Sequence, residues 1–224
     1  MPKKSSVKST TSNLSKRLTN KQIGKLRSLQ TLLQYLNKSD IVGVLYNYHG
    51  EEDSGSGHTY LVSQESHDVI SKSLDKATVS DLRDKLCALG LGDNYGSVQD
   101  LEESIEEATK ALKEADPDTY AAMLMAMPDL DSDATIAEDI EEDMYDMSAS
   151  MMGSSYGLPN NNEGGACILY LTRDTLTFMG AYGEYVETGE VISDDEDDYP
   201  ETHIELKDEA SCRFVNVPLD DLLP

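Results

Sequence analysis

The residues with the clearest potential for chemistry lie in residues 49–58, whose sequence is His-Gly-Glu-Glu-Asp-Ser-Gly-Ser-Gly-His. The candidates for acid–base or nucleophilic chemistry are His49, Asp53, Ser54 and His58. Rigid scaffolds often present catalytic groups on loops, so one interpretation is the active-site loop of a small hydrolase or nucleotide-binding enzyme. The other is a hairpin connection that uses glycine where φ is positive. The segment has neither a Walker pattern nor a nucleophile elbow.

A second candidate is an acidic stretch. Residues 114–172 contain thirteen acidic residues and no lysine or arginine. Six of these acids fall within one predicted helix, and they are the candidate partner-binding residues Glu138, Asp139, Glu141, Glu142, Asp143 and Asp146. One interpretation is a solvated face that keeps the protein soluble. The other is a negative surface that binds a basic partner, or that imitates nucleic acid by placing carboxylates at phosphate-like intervals.

The sequence predicts no metal site and no cofactor. Asp129, Asp131 and Asp133 match the first three ligand positions of a calcium-binding EF-hand loop. However, Ala134 and Ile140 stand where that loop needs glycine and a bidentate glutamate, so we interpret the segment as an acidic turn. The histidines and cysteines lack metal-ligand spacing, and three cysteines are too few for a disulfide framework, which fits a reducing compartment.

Charge is distributed unevenly along the 224 residues, whose formal net charge is −25. Residues 1–39 contain nine of the 18 basic residues and no acid, which predicts a basic arm on an acidic body. The acidic body argues against a DNA or RNA reader, because it repels phosphate. The arm is a solvated tail, contacts nucleic acid, or docks on a neighbouring copy. Its candidate contact residues are Lys3, Lys4, Lys8, Lys16 and Arg17.

Hydrophobic periodicity predicts an α+β fold, in which an antiparallel sheet carries an N-terminal helix and an inserted helical segment. Residues 1–18 are predicted to be a disordered basic arm, and residues 19–224 a single domain. Within that domain, residues 64–157 are mainly helical and residues 158–224 are β-rich. The predicted helices begin near residues 19, 81, 97, 117 and 135. The predicted strands are 41–48, 59–62, 166–172, 176–182, 185–191, 203–206 and 212–217, with a polar loop at 51–57.

Part of the chain resembles a known group of domains. The segments Ile41-Val-Gly-Val-Leu-Tyr-Asn-Tyr and Gly50-Glu-Glu-Asp-Ser-Gly, after a helix, resemble small uncharacterised bacterial and phage domains with a helix–strand–G-x-G-D-S-G unit. Gly180-Ala-Tyr-Gly is similar to their downstream part, whereas a glutamate here replaces the second glycine of the unit. That family has no established activity, so the resemblance implies a bacterial or phage origin and no particular chemistry.

These observations favour a non-enzymatic binding protein whose acidic body engages a basic protein partner or other copies of itself. One form is a component of a virion or other assembly, in which the basic arm reaches a neighbour or the packaged genome. The other form is a charge mimic that inhibits a nucleic-acid-handling protein. No run approaches the about 18 apolar residues of a membrane span, and no secretory signal is evident. The predicted location is the cytoplasm or the inside of a virion.

Overall fold

The computed structural model describes residues 14–36, 40–51, 54–92, 98–128, 136–154, 157–159, 164–192 and 199–222. Its strands are β1 (Ile41–Glu51), β2 (Ser54–Ser63), β3 (Gly165–Thr172), β4 (Thr175–Ile192) and β5 (Tyr199–Pro218). Its α-helices are α1 (Asn20–Tyr35), α2 (Gln64–Ser73), α3 (Val79–Ala88), α4 (Val98–Ala115), α5 (Pro117–Leu124) and α6 (Ile136–Met152). The predicted α+β fold with an N-terminal helix is confirmed. None of the described helices is long and apolar enough to cross a membrane.

The strands form one antiparallel sheet in the order β2-β1-β3-β4-β5. β1 pairs with β3 from Gly43 opposite Thr172 to Gly50 opposite Gly165, although the helical segment separates them in the chain. The prediction that strands before and after the helices share one antiparallel sheet is therefore confirmed. β2 and β5 are the two edge strands.

The sheet has helices on both faces. Successive residues of a strand point to opposite faces, and in β3 residues 165–171 are all buried. Tyr46, Leu169 and Phe178 belong to one core cluster, which they share with residues of α1, α4, α5 and α6. Their strand neighbours, among them Leu45 and Ile168, belong to a second cluster with residues of α2 and α3. The helical segment thus contributes to two layers, one on each side of the sheet.

The described residues begin before the predicted boundary at residue 18. Leu14 is fully buried, Leu18 is also buried, and both belong to the larger core cluster. Arg17 donates to the Cys212 Sγ at 3.0 Å and lies over the Phe214 ring. The prediction of a disordered arm is therefore wrong for residues 14–18, since these leucines remove apolar surface from water against the domain. Residues 1–13 lie outside the described residues.

The last two strands of the sheet, β4 and β5, are longer than predicted. The two segments predicted at 176–182 and 185–191 are one continuous strand, β4, and those at 203–206 and 212–217 are both parts of β5. β3 stops at Gly165, opposite Tyr182, so β4 beyond that point pairs only with β5. Residues 183–192 and 199–207 therefore form a two-stranded extension, here called the β4–β5 ribbon.

Candidate binding groove

The segment that was expected to be a polar loop is mainly part of a β-hairpin. His49 pairs with Ser56 and His58 pairs with Asn47, so both candidate histidines lie within the β1–β2 ladder. Ser54 is the first residue of β2. The loop prediction for residues 51–57 is therefore wrong for residue 51 and residues 54–57. Asp53 and the predicted acidic turn at residues 129–135 lie outside the described residues.

The glycines of β2 make room for two tyrosine rings of β1. A Cβ added at Gly57 would lie 2.0 Å from the Tyr46 hydroxyl oxygen, and one added at Gly55 would lie 2.1 Å from that of Tyr48. Neither glycine has a positive φ, so close approach explains them better than turn geometry. Tyr-x-Tyr in one strand and Gly-x-Gly in the next share the two-residue period of a sheet face. This was a sequence signal for the contact.

Helix α6 crosses the same side of β2, and an open groove of about 480 Å³ lies between them. Gly57 and His58 of β2 line the groove from one side. Glu138, Glu141 and Glu142 of α6 line it from the other. Among the described residues that line this groove there is no lysine or arginine. The structure therefore brings half of the predicted acidic set next to one of the candidate histidines.

Glu141 binds the main chain of the edge strand directly. The Thr59 N–H donates to the Glu141 carboxylate at 3.1 Å, so this N–H points away from β1. Burial raises the pKa of Glu141, and this effect exceeds the opposite effects of the Thr59 N–H and the nearby His58. N–H groups alternate in direction along an antiparallel strand, so Gly57 and Gly55 direct theirs to the same outer edge. An edge strand with outward main-chain groups can pair with a strand of another chain.

The remaining acids of α6 face helix α1 and a second cavity of about 230 Å³. Asp139, Asp143 and Asp146 line this cavity together with Lys21 and Lys25 of α1, and Glu142 lines both cavities. Lys25 forms an ion pair with Asp143. Burial raises the pKa of Asp143, although the contact with Lys25 acts in the opposite direction. On this side of α6 the chain supplies its own cations.

Contacts with other elements fix the position of α6. The Glu102 carboxylate of α4 accepts the N–H groups of Ile136 at 3.1 Å and Ala137 at 2.6 Å, which satisfies two free donors of the α6 N-terminus. Near the middle of α6, the Tyr145 ring packs edge-on against Tyr48 with 5.9 Å between centroids. The role of Glu102 was missed, because nothing in the local sequence indicates which helix end a glutamate will cap.

The other predicted residues lie apart from the groove. Lys16 is exposed, whereas Arg17 is held by contacts with Met151 and Cys212. Lys3, Lys4 and Lys8 lie outside the described residues. Convergence of the histidine segment with residues 182–184 in one cleft would favour the enzyme hypothesis. These residues lie on β4 and line neither of the two described cavities.

Within the part of the chain that the structure describes, no cluster of three or more histidine, cysteine, aspartate or glutamate side chains could hold a metal ion. Burial raises the pKa of Tyr46 and of Tyr48, so both phenols in the groove wall stay protonated. The groove offers carboxylates, a histidine, main-chain groups and aromatic rings that a bound segment can contact.

No family model matches the sequence, no curated protein is significantly similar to it, and no solved structure matches its fold. The resemblance to small bacterial and phage domains stays a prediction.

Proposed function

We propose that the protein is a non-enzymatic binding protein that holds a basic, extended segment of a protein partner in the groove between β2 and α6. One observation carries this proposal: Glu138, Glu141 and Glu142 line a groove beside an edge strand, with no lysine or arginine among the described lining residues. Carboxylates in such a groove attract lysine and arginine and repel phosphate.

The spacing of the acids suits an extended chain. Glu138 and Glu142 are four residues apart on α6, which corresponds to about 6 Å along the helix axis. Side chains on one face of an extended segment repeat every two residues, or about 6.6 Å. A segment with lysine or arginine at every second position can therefore place successive charges beside successive carboxylates.

The edge strand supplies the second element of recognition. Gly55 and Gly57 present outward main-chain groups without side chains, next to the Thr59 N–H that Glu141 accepts. A partner segment that pairs with this edge gains main-chain hydrogen bonds, as in β-strand addition. Exposed charge pairs contribute only about 0.2–1 kcal/mol each. Charge therefore selects and orients the segment, and the main-chain pairing retains it.

A direct titration tests this function. The probe is a labelled twelve-residue peptide with lysine at alternate positions, and a peptide with glutamine at those positions is its control. We expect salt-sensitive binding of the lysine peptide only. The double variant Glu138→Gln, Glu142→Gln should bind about tenfold more weakly, because two charge pairs are lost. Glu106→Gln with Glu107→Gln, at exposed positions of α4, removes the same charge and should change affinity less than twofold. Equal binding of both peptides, or equal loss in both variants, would reject the proposal.

The proposal includes two sources for the basic segment. In the first, the segment is part of the basic site of a nucleic-acid-handling protein, and the acids of α6 bind that site in place of nucleic acid. In the second, the segment belongs to a subunit of a virion or other assembly, including another copy of this chain. A pull-down from the source cell, washed at low and then high salt, separates them. A nucleic-acid enzyme released by high salt supports charge mimicry, and salt-resistant particle proteins or copies of the chain support assembly. The phage or bacterial origin and the location in cytoplasm or virion belong to this proposal.

A further inference from the structure

We propose that the chain's own residues 1–13 occupy the β2–α6 groove within the same molecule until a partner displaces them. This inference rests on the proposed function, because it assigns a competitor to the same groove. The segment contains Lys3, Lys4 and Lys8 and no acidic residue.

The described chain starts beside α6. Leu14 is fully buried, and Arg17 donates to the Met151 carbonyl oxygen near the C-terminal end of that helix. The Gln22 side-chain amide then donates to the Ser150 Oγ at 2.9 Å. Lys25 forms its ion pair with Asp143. Residues 17–25 are thus anchored along α6, the helix whose other acids line the groove.

The segment is long enough to reach the groove. Met151 and Glu138 are thirteen residues apart on α6, which corresponds to about 20 Å. An extended segment of the thirteen residues before Leu14 spans up to about 43 Å. Lys8, six residues before Leu14, can lie about 20 Å from it. The length of the segment therefore exceeds the separation of Met151 and Glu138 along α6.

Charge and tethering favour this occupant. The groove presents three carboxylates and, among its described lining residues, no lysine or arginine, whereas the segment has three lysines and no acidic residue. A tether of this length converts weak charge pairs into intramolecular ones, with an effective concentration of about millimolar. The affinity for a partner is then reduced by the fraction of molecules whose groove is filled. The segment therefore sets a threshold that only a stronger basic partner exceeds.

The first test compares full-length proteins in the titration with the alternate-lysine peptide. The triple variant Lys3→Gln, Lys4→Gln, Lys8→Gln should bind the peptide about threefold to tenfold more tightly than the unmodified chain. Lys72→Gln with Lys76→Gln, at exposed positions near the end of α2, is the charge control and should change affinity less than twofold. Equal affinity of the triple variant and the unmodified chain would overturn the inference and leave the proposed function intact. Absence of binding in all three proteins would overturn both.

The second test locates the segment. Zero-length carbodiimide coupling of dilute protein should join Lys3, Lys4 or Lys8 to Glu138, Glu141 or Glu142, and excess lysine peptide should suppress these products. A mixture of unlabelled and ¹⁵N-labelled protein shows whether the joined residues belong to one molecule. Products that combine both isotopes would place the segment on a second copy and overturn the intramolecular inference. So would coupling mainly to acids of the β4–β5 ribbon.

Discussion

Helices α4 and α6 are both rich in acids, yet they place their carboxylates in different surroundings. On α4, Glu106 and Glu107 are exposed, and Lys110 and Lys113 follow on the same helix. On α6, Glu141 and Asp143 are partly buried, and each contacts a neighbouring element. The acids of α4 form a solvated face, whereas those of α6 line cavities beside β2 and α1, where Glu141 and Asp143 are partly buried and the others include the exposed Glu138, Glu142 and Asp146. Under the proposed function, a position beside a neighbouring element, and not the number of acids, distinguishes a binding surface from a solubilising one.

The different positions of the acids relative to the core explain this contrast. The buried residues of α4, including Leu101 and Leu112, leave most of its glutamates on the opposite face. In α6 the acids flank the buried stripe that includes Ile140 and Met144, so they meet β2 on one side and α1 on the other. Glu102 is the exception on α4, because it caps α6.

The largest expected difference between the helices comes from reversing charge. Glu138→Lys with Glu142→Lys should weaken binding of the alternate-lysine peptide about 100-fold, because like charges would face each other in the groove. Glu106→Lys with Glu107→Lys should weaken it less than threefold, through the overall charge alone. Fluorescence anisotropy at fixed salt measures both. A comparable loss from the α4 reversal would show that the two helices do not differ in function.

The wall of the groove offers the next test. Gly57→Ala places a Cβ against the Tyr46 hydroxyl, so it should lower the free energy of unfolding by about 1–3 kcal/mol through overpacking. Ser56→Ala, at the exposed neighbouring position, should change it by less than about 0.5 kcal/mol. Urea denaturation measures both. Unchanged stability in Gly57→Ala would mean that the tyrosine ring does not lie over this glycine.

Substitution of Glu102 tests the link between α4 and α6. Glu102→Ala removes the acceptor for the N–H groups of Ile136 and Ala137, so it should cost about 1–2 kcal/mol of unfolding free energy. The control is Glu106→Ala, whose exposed side chain on α4 should contribute less than about 0.5 kcal/mol. The same urea series measures both. Equal effects would reject the capping role.

The smallest effect concerns Glu141, whose pKa in the folded protein is raised mainly by burial. A carboxyl with a raised pKa binds its proton more tightly in the folded state, so its ionised form reduces stability at neutral pH. Glu141→Gln keeps an oxygen acceptor for Thr59 and removes the buried charge. We expect a slightly more stable protein at pH 7, with a difference that disappears once the pH falls below the ordinary carboxyl pKa. Lower stability of the variant at pH 7 would contradict this ionisation cost.

Local patterns predicted much of the fold. The sequence Thr78-Val-Ser-Asp81 is typical of a capping box, and Thr78 and Asp81 form one at the start of α3. Gly90, with φ of +74°, lies just after the end of that helix. The apolar periods indicated most strands and helices correctly. They did not indicate which face of the sheet each helix covers, because an apolar stripe shows that a helix is packed and not against what.

The candidate site was predictable only in part. The six acids of α6 were recognised as a group from the sequence. Their contact with β2 was not, because Thr59 and Glu141 are 82 residues apart and no local pattern links them. The glycines of β2 were interpreted as loop residues, since close approach of a tyrosine ring depends on the strand register. Leu14 and Leu18 were assigned to the arm, because the surrounding residues are mostly polar or basic.

The difference between the acidic residues of α4 and α6 is tested most directly by mapping where the peptide binds, using the backbone amide signals of the protein. ¹⁵N-labelled protein is titrated with the alternate-lysine peptide, and the shift of each backbone amide signal is followed. The largest shifts should occur at residues 55–59 of β2 and 138–142 of α6, with the Thr59 amide among them, while residues 103–107 of α4 change little. Largest shifts on α4 or on the β4–β5 ribbon would show that exposed negative charge alone attracts the peptide, and would contradict a built groove between β2 and α6.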